Sequence, residues 1–316
     1  MLDLPSFSIV IPTFGRPDSL RECLRSLAGL DYPLDLVEAI VVEDGTSRRP
    51  ISPDSLRSVA GSLEVRHIRQ DHAGPAVARN RGAEAARNTY LAFTDDDCRP
   101  DPGWLRGLAR QFAVSPDAIL GGRTENDLNN NSFSAASQLL VEYVYEHHLR
   151  TKRPFFASNN LAVEHRVFAR IGGFDDRFPI AGGEDREFCD KCLHREFGMV
   201  FVPDAVIRHH HPLSPRRFFR QHFNYGRGAF IHHQTRATRG GGKIRLEPLS
   251  FYIDLLRYPY TARCKRRTLF VSSLMLLSQI ANALGFYSEK LLPRTTDSEV
   301  PARAEIASPD RASRGP

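Results

Sequence analysis

The sequence predicts an α/β protein, a mostly parallel sheet with helices on both faces followed by a C-terminal helical extension. Three observations point there. Short apolar runs alternate with helical signals through the first half of the chain, in a βαβα order. The first runs are apolar throughout, as strands buried on both faces require. Acidic residues gather where these runs end, the rim at which open α/β sheets bind their ligands.

The elements follow in order. FSIVIPT (7–13) is a short apolar strand, and Pro17 and Asp18 then open a helix with Leu20, Leu24 and Leu27 on one stripe. EAIVVED (38–44) is the next strand and EVRHIRQ (64–70) a third, weaker one. Residues 75–87 read as a helix, TYLAFTDDD (89–97) as a strand ending in acid, and DPGWLRGLARQF as a helix with Pro102 near its start. AILGGRTEN is again strand-like. Beyond it, 132–149 and 184–197 read as helices. MVFVPDAVI (199–207) is a strand broken or edged by Pro203, and 214–232 is helical and basic. Residues 268–288 are uncharged over a membrane-relevant length but carry Ser, Gln, Asn and Gly. No internal repeat is visible, and the last ~20 residues have the composition of a disordered tail.

With 316 residues, 41% hydrophobic and 25% charged, the chain can bury a sizeable core, which excludes a disordered, collagenous or coiled-coil protein. Its five cysteines are few: Cys23, Cys98 and Cys264 are scattered, and Cys189 and Cys192 form one CxxC without a second pair. This argues against a disulfide scaffold or an all-cysteine zinc site and fits a reducing compartment. The N-terminus has no basic region before its apolar run, so no signal peptide is expected. Charge is uneven. Residues 203–267 hold 14 Lys/Arg against 3 Asp/Glu, and half of the 12 histidines, whereas the remainder of the chain is net −5. Such a block suits a membrane surface, a lipid-linked phosphate or a nucleic acid, and equally a solvated arginine-rich face.

Five motifs carry candidate chemistry. Asp95, Asp96 and Asp97 end an apolar strand. Adjacent carboxylates repel unless a cation neutralises them, and hard oxygen ligands suit Mg²⁺ or Mn²⁺. The bland alternative is a solvated acidic turn. Glu43-Asp44-Gly45 ends a second strand on the same rim, where a carboxylate can accept from a ribose or a base, or simply form a turn. In GPAVARNRG (74–82) a helix begins with Arg79 and Arg81 in its first turns, a place for phosphate or for ordinary basic solvent positions. In GGEDREF (182–188) Glu184 and Asp185 fall in a first helical turn and point differently. One can enter a cleft as a general base while the other caps, or both can merely complement the helix dipole. His209 and His211, alternate residues of a strand-like stretch, share a face and could ligate a divalent metal, although a polar run on the basic face explains them as simply. The CxxC falls within a helix and has no partner pair.

The order of these motifs resembles the family-2 glycosyltransferases of GT-A fold. The matching stretches are IVIPTFGRPDSLRECLRSL, VVEDGT, GPAVARNRG, FTDDDCRPDPGWL, SNNLAVEHRVFARIGGFDDRF, GGEDREF and VIRHHHPLSPRRFFRQHFNYGRGA, together spanning 7–230. The resemblance implies that Pro12, Thr13 and Asp44 belong to the nucleotide pocket and that Arg79 contacts the nucleotide. It implies that Asp95 and Asp97 form a DxD metal and diphosphate motif with Asp96 between them. Asp185 then matches the base that deprotonates the acceptor, and His209 lies near a further metal or diphosphate contact, with His211 as its alternate. Two departures are Glu43, where a second Asp is common, and Thr94, where an aliphatic residue is common.

The implied activity is metal-dependent inverting transfer of a sugar from a nucleoside-diphosphate sugar, UDP-type by resemblance, to a glycan or lipid-linked hydroxyl in cell-envelope or polysaccharide synthesis. The cofactor is Mn²⁺ or Mg²⁺, and no nucleic-acid partner is implied. The implied organisation is a catalytic domain at 1–235, a basic amphipathic helical extension at 236–292 and a disordered tail at 293–316. The expected location is cytoplasmic, peripheral at the inner face of the plasma membrane. A nucleotidyltransferase would use similar acids but needs a glycine- and lysine-rich loop that FGRPDSL lacks. A nucleic-acid-binding module leaves the acidic strand ends unexplained. Arg263, Lys265, Arg266 and Arg267 precede the 268–288 stretch, whose Ser272, Ser273, Ser278, Gln279, Asn282 and Gly285 make it a poor membrane span. A helix lying at an interface or packed on a partner is the favoured expectation, against a soluble helix covering the catalytic domain.

Overall fold

A computed structural model describes residues 4–45, 51–128, 130–151, 153–240, 247–261 and 268–291. The tail expected at 293–316, Cys264 and the basic run 263–267 lie outside them. In chain order the elements are β1 (Phe7–Thr13), α1 (Pro17–Ala28), β2 (Val37–Asp44), α2 (Pro53–Ala60), β3 (Glu64–Gln70), α3 (Pro75–Ala85), β4 (Tyr90–Phe93), β5 (Cys98–Pro100), α4 (Trp104–Phe112) and β6 (Ile119–Asn126). The second half adds α5 (Ser132–Arg150), β7 (Leu161–Glu164), α6 (His165–Ile171), α7 (Glu184–His194), β8 (Met199–His209), α8 (Pro215–Thr238), α9 (Leu249–Thr261) and α10 (Thr268–Leu291).

One mixed sheet runs β3-β2-β1-β4-β7-β6-β8-β5. Among the described strands only β5 and β7 run against the others, so the sheet is mostly parallel as the sequence predicts. β1 and β2 are buried at every position, whereas β3 is half exposed at the sheet edge, which is why its pattern is weak. Leu20, Leu24 and Leu27 of α1 reach the core on one side of the sheet, with Trp104 and Leu108 of α4. Phe93, Phe168, Phe174 and Phe188 fill the other side beneath α3, α6 and α7. A third apolar cluster joins α5, α8, α9 and α10. Burial of this scale is the main favourable term holding the layers together.

Two local departures shape the rim. The run read as one strand through 97 stops at Phe93, and the chain turns so that the Cys98 N–H donates to the Asp95 carbonyl at 3.0 Å. The short β5 then pairs antiparallel with β8, Cys98 opposite His209. At Pro203, which has no N–H to donate, β8 slips its register: Val202 pairs with Gly122, but Val206 pairs with Arg123. The strand is therefore broken at Pro203 yet stays inside the sheet, with β5 as its covering edge.

Candidate active site at the strand ends

The acidic turn after β4 is largely buried rather than the solvated acidic turn of the bland alternative: Asp96 is fully buried and Asp97 is 8% exposed, with Asp95 part-exposed. Protein cations supply the neutralisation that three adjacent carboxylates demand. Arg16, on the loop after β1, contacts Asp96 and Asp97 at 2.6 Å each. Thr13 donates its hydroxyl to Asp96 Oδ2 at 2.6 Å. Burial nevertheless pushes the Asp96 carboxyl up to about 7.

Asp97 is held in the opposite direction. Burial would raise it, but His209 and His211, both within hydrogen-bonding reach, and Arg16 hold it well below the usual carboxylate range. His209 Nε2 lies 3.3 Å from Asp97 Oδ1 and His211 Nδ1 lies 3.2 Å from Oδ2. The two imidazoles stack at 4.9 Å, so alternate residues share a face as expected. The β5–β8 pairing makes this cluster, for His210 N–H donates to the Asp97 carbonyl. Asp97, Cys98 and His209 present ligand atoms within 4.8 Å of one another. The carboxylate and imidazole of that set are the atoms that could hold a hard cation, since burial pushes the Cys98 thiol well above its usual range. Asp95, the third expected metal residue, instead faces Arg79.

Arg79 is 4% exposed and links two parts of the rim. One amine donates to Asp95 at 2.8 Å and the other to Glu184 at 3.1 Å, while its Nε has no protein partner. Glu184 also accepts from the Gly182 N–H at 2.8 Å. Asp185 makes no ion pair among the described residues. Burial, with Glu184 beside it, pushes its carboxyl up to about 7. Glu187, one turn on and fully buried, fastens α7 to α8 through His232 at 2.9 Å and through Arg239.

On the β2 side, Asp44 accepts from Gln70 and Ala73 at 2.8 Å on Oδ1 and from the Gly74 N–H at 2.9 Å on Oδ2. His72 Nδ1 bonds the Asp44 carbonyl oxygen at 3.2 Å and lies 2.9 Å from Oδ2. Three protein donors thus hold the Asp44 carboxylate, with His72 over Oδ2. The His72 side chain is 60% exposed and packs against Phe14 at 4.8 Å. Pro12 lies buried in β1 beside β2. Four residues escaped sequence reasoning: Arg16, Phe14, Gln221 and Tyr225. Gln221 Oε1 meets His211 Nε2 at 2.8 Å, and its amide nitrogen lies 2.9 Å from the Tyr225 hydroxyl. Arg16 and Phe14 stood immediately beyond the first strand, a signal within reach. Gln221 and Tyr225 had none, since only the docking of α8 brings them here.

The Gly182–Gly183 loop that delivers Asp185 rests on α8. A Cβ at Gly228 would lie 1.6 Å from the Gly182 carbonyl oxygen, backbone against backbone. Gly228→Ala is therefore expected to displace the loop and lower kcat/KM by roughly 100-fold, the scale of an ångström misplacement. Steady-state kinetics beside a circular-dichroism melt measure this, and unimpaired turnover would contradict the packing.

Comparison with known proteins places this arrangement. The Glycosyl transferase family 2 model matches residues 8–172. The chain is 26% identical over 233 residues to glycosyltransferase AglE of Haloferax volcanii, covering 71% of this chain and 73% of that protein. It is 28% identical to a chondroitin synthase of Escherichia coli, covering 67% of this chain but only 35% of that longer protein. Among solved structures, the mannosyltransferase PcManGT from Pyrobaculum calidifontis, in complex with GDP-Man and Mn²⁺, superposes with a TM-score of 0.64 at 16% identity. That match covers 92% of this chain and 89% of the other. The shared fold is GT-A.

Proposed function

Because the chain belongs to the family-2 glycosyltransferases, enzymes of glycan synthesis, we propose that it moves a sugar from a nucleoside-diphosphate sugar to a hydroxyl acceptor with inversion. The observation that carries this reading is Arg79, whose two amines hold Asp95 and Glu184 and so join the metal end of the rim to the base end.

Asp97 and His209 would hold Mn²⁺ or Mg²⁺, with His211 in reserve and Asp95 and Asp96 beside them on the diphosphate side. The bound cation supplies charge neutralisation of the departing nucleoside diphosphate. Arg16, about half exposed, has the freedom to leave the carboxylates it now pairs. The unpartnered Nε of Arg79 offers a buried donor to the same anion. Pro12, Thr13 and Asp44 would line the nucleotide pocket, where a ligand displaces the exposed His72 from Asp44. Asp185, free of any ion pair among the described residues, takes the proton as the acceptor oxygen attacks the anomeric carbon. Its raised pKa suits that task, since a base near neutrality has both the right form and the right driving force. Glu184 positions rather than reacts. A single base suffices for one inverting displacement.

The catalytic unit is proposed as 1–235, with 236–292 as a basic helical extension, working on the cytoplasmic side in cell-envelope or polysaccharide synthesis. The donor panel should include UDP- and GDP-sugars, with hydrolysis and thermal stabilisation measured in Mn²⁺ and in EDTA. Chelation is expected to cost roughly 100-fold or more in turnover, and equal activity in both would refute metal dependence.

A further inference from the structure

Helix α10 is apolar on both faces: Val271, Leu274, Met275 and Ala281 pack inward. Of the polar and small residues that make 268–288 a poor span, Ser272, Ser278 and Gly285 are buried against protein, and Gln279 and Asn282 are half-buried. Ser273 alone faces solvent. The outward face carries instead Leu269, Leu276, Ile280, Leu284, Tyr287 and Leu291, between about half and three-quarters exposed. From Leu276 to Leu291 the spacing is three or four residues, and with Ser273 standing between Leu269 and Leu276 it draws one mostly apolar stripe along the 24-residue helix, with no acidic residue on it. A surface helix of a free-standing domain carries a polar outer face, and a contiguous apolar face of this length marks a contact.

The helix is fastened to the fold along its inner face. A Cβ at Gly226 would sit 1.8 Å from the Asn282 carbonyl, so α8 and α10 touch backbone to backbone. Arg227 pairs with Glu289 at 2.5 Å, both largely buried. One face of α10 is taken up by α8, so only the opposite face is open to an apolar medium.

Charge identifies what covers that face. Phe133 packs on Phe218 of α8 and on Phe270 of α10, so the two helices begin side by side. There Arg216, Arg217 and Arg220 are exposed and make no ion pair among the described residues, with Phe219, 36% exposed, between them. An apolar stripe with unpaired arginines at one end fits an anionic lipid leaflet. We infer that α10 lies in the plane of an anionic membrane, stripe inward, with the α8 N-terminus at the headgroups. Since α8 follows directly on His209–His211, this posture would bring the proposed active site to the surface and favour a lipid-linked acceptor. That last step rests on the glycosyltransferase reading, whereas the docking does not.

The test is flotation of the full chain, without donor, on phosphatidylcholine vesicles with and without phosphatidylglycerol. The native chain is expected to float with the anionic vesicles at low salt. A combined Leu276→Glu, Ile280→Glu, Leu284→Glu variant should bind ~10-fold more weakly or worse, with unchanged melting and unchanged metal-dependent donor hydrolysis in the absence of lipid. A combined Arg216→Gln, Arg217→Gln, Arg220→Gln variant should lose the preference for anionic lipid. Failure of the native chain to float, or equal flotation of the glutamate variant, overturns the inference. So does lipid-free dimerisation that the glutamate variant abolishes, which would assign the stripe to a second copy. Loss of hydrolysis in every form with flotation intact would reject the glycosyltransferase mechanism and leave the docking standing.

Discussion

Asp185→Asn is expected to lower kcat by ~10²–10⁴-fold, the contribution of a positioned general base, while leaving donor affinity nearly unchanged. The substitution keeps size and removes only the ability to take a proton. The Asp185 contact with the Arg186 N–H is the sole hydrogen bond described for this side chain, so little structure depends on its charge. The native profile of kcat/KM should rise with pH through about 7 as the carboxyl ionises, and that rise should vanish in the variant. Stability works the other way. A carboxyl whose folded-state pKa is raised above its unfolded value opposes folding once pH exceeds the ordinary carboxylate range, because ionisation is harder in the folded chain. At pH 8 the variant should therefore melt at or above the native temperature. A collapse of donor affinity would make Asp185 a binding residue. Glu184→Gln should be the milder change in kcat but the costlier in stability, because its charge is buried against Arg79.

Gly228→Ala reaches the same base from a distance, and the contrast explains what the sequence could carry. The strands and α1 were legible because their periodicity is local: β1 and β2 are apolar throughout and Leu20, Leu24 and Leu27 repeat along one face. The acids Asp95–Asp97, Asp44 and Asp185 were legible by their place after such runs. The pairing of those acids was not. Asp97 meets His209 only because the three-residue β5 folds back on β8, more than a hundred residues away. Arg16 reaches Asp96 and Asp97 across some eighty residues, so an acidic triplet that called for an outside cation finds an arginine first. Neither β7 nor its reversed direction was anticipated, since four residues, LAVE, are too few to declare a period. The apolar outer face of α10 was hidden for another reason: composition averages the two sides of a helix, and only packing separates them.

Asp97→Asn should be the most damaging change on the metal side, lowering turnover by roughly 1,000-fold or more. Among the described residues, Asp97 is the one carboxylate that combines burial, two imidazoles and an arginine around a single pair of oxygens. Its charge is what the low-lying pKa reports, since the neutral form is strongly disfavoured among those partners. The amide keeps the shape and can still accept from Arg16, so the fold should persist with a lower melting temperature as the neighbouring cations lose their counter-charge. What distinguishes this variant from Asp185→Asn is the step that fails. Thermal stabilisation by donor should respond to Mn²⁺ in the native chain and in Asp185→Asn but no longer in Asp97→Asn. Removal of Asp95 should be less severe for metal response, because Asp95 is held by Arg79 and stands outside the Asp97–His209 set. A Mn²⁺ response that survives in Asp97→Asn and disappears with Asp95→Asn would move the cation to the other end of the triplet, onto the residue that Arg79 now holds.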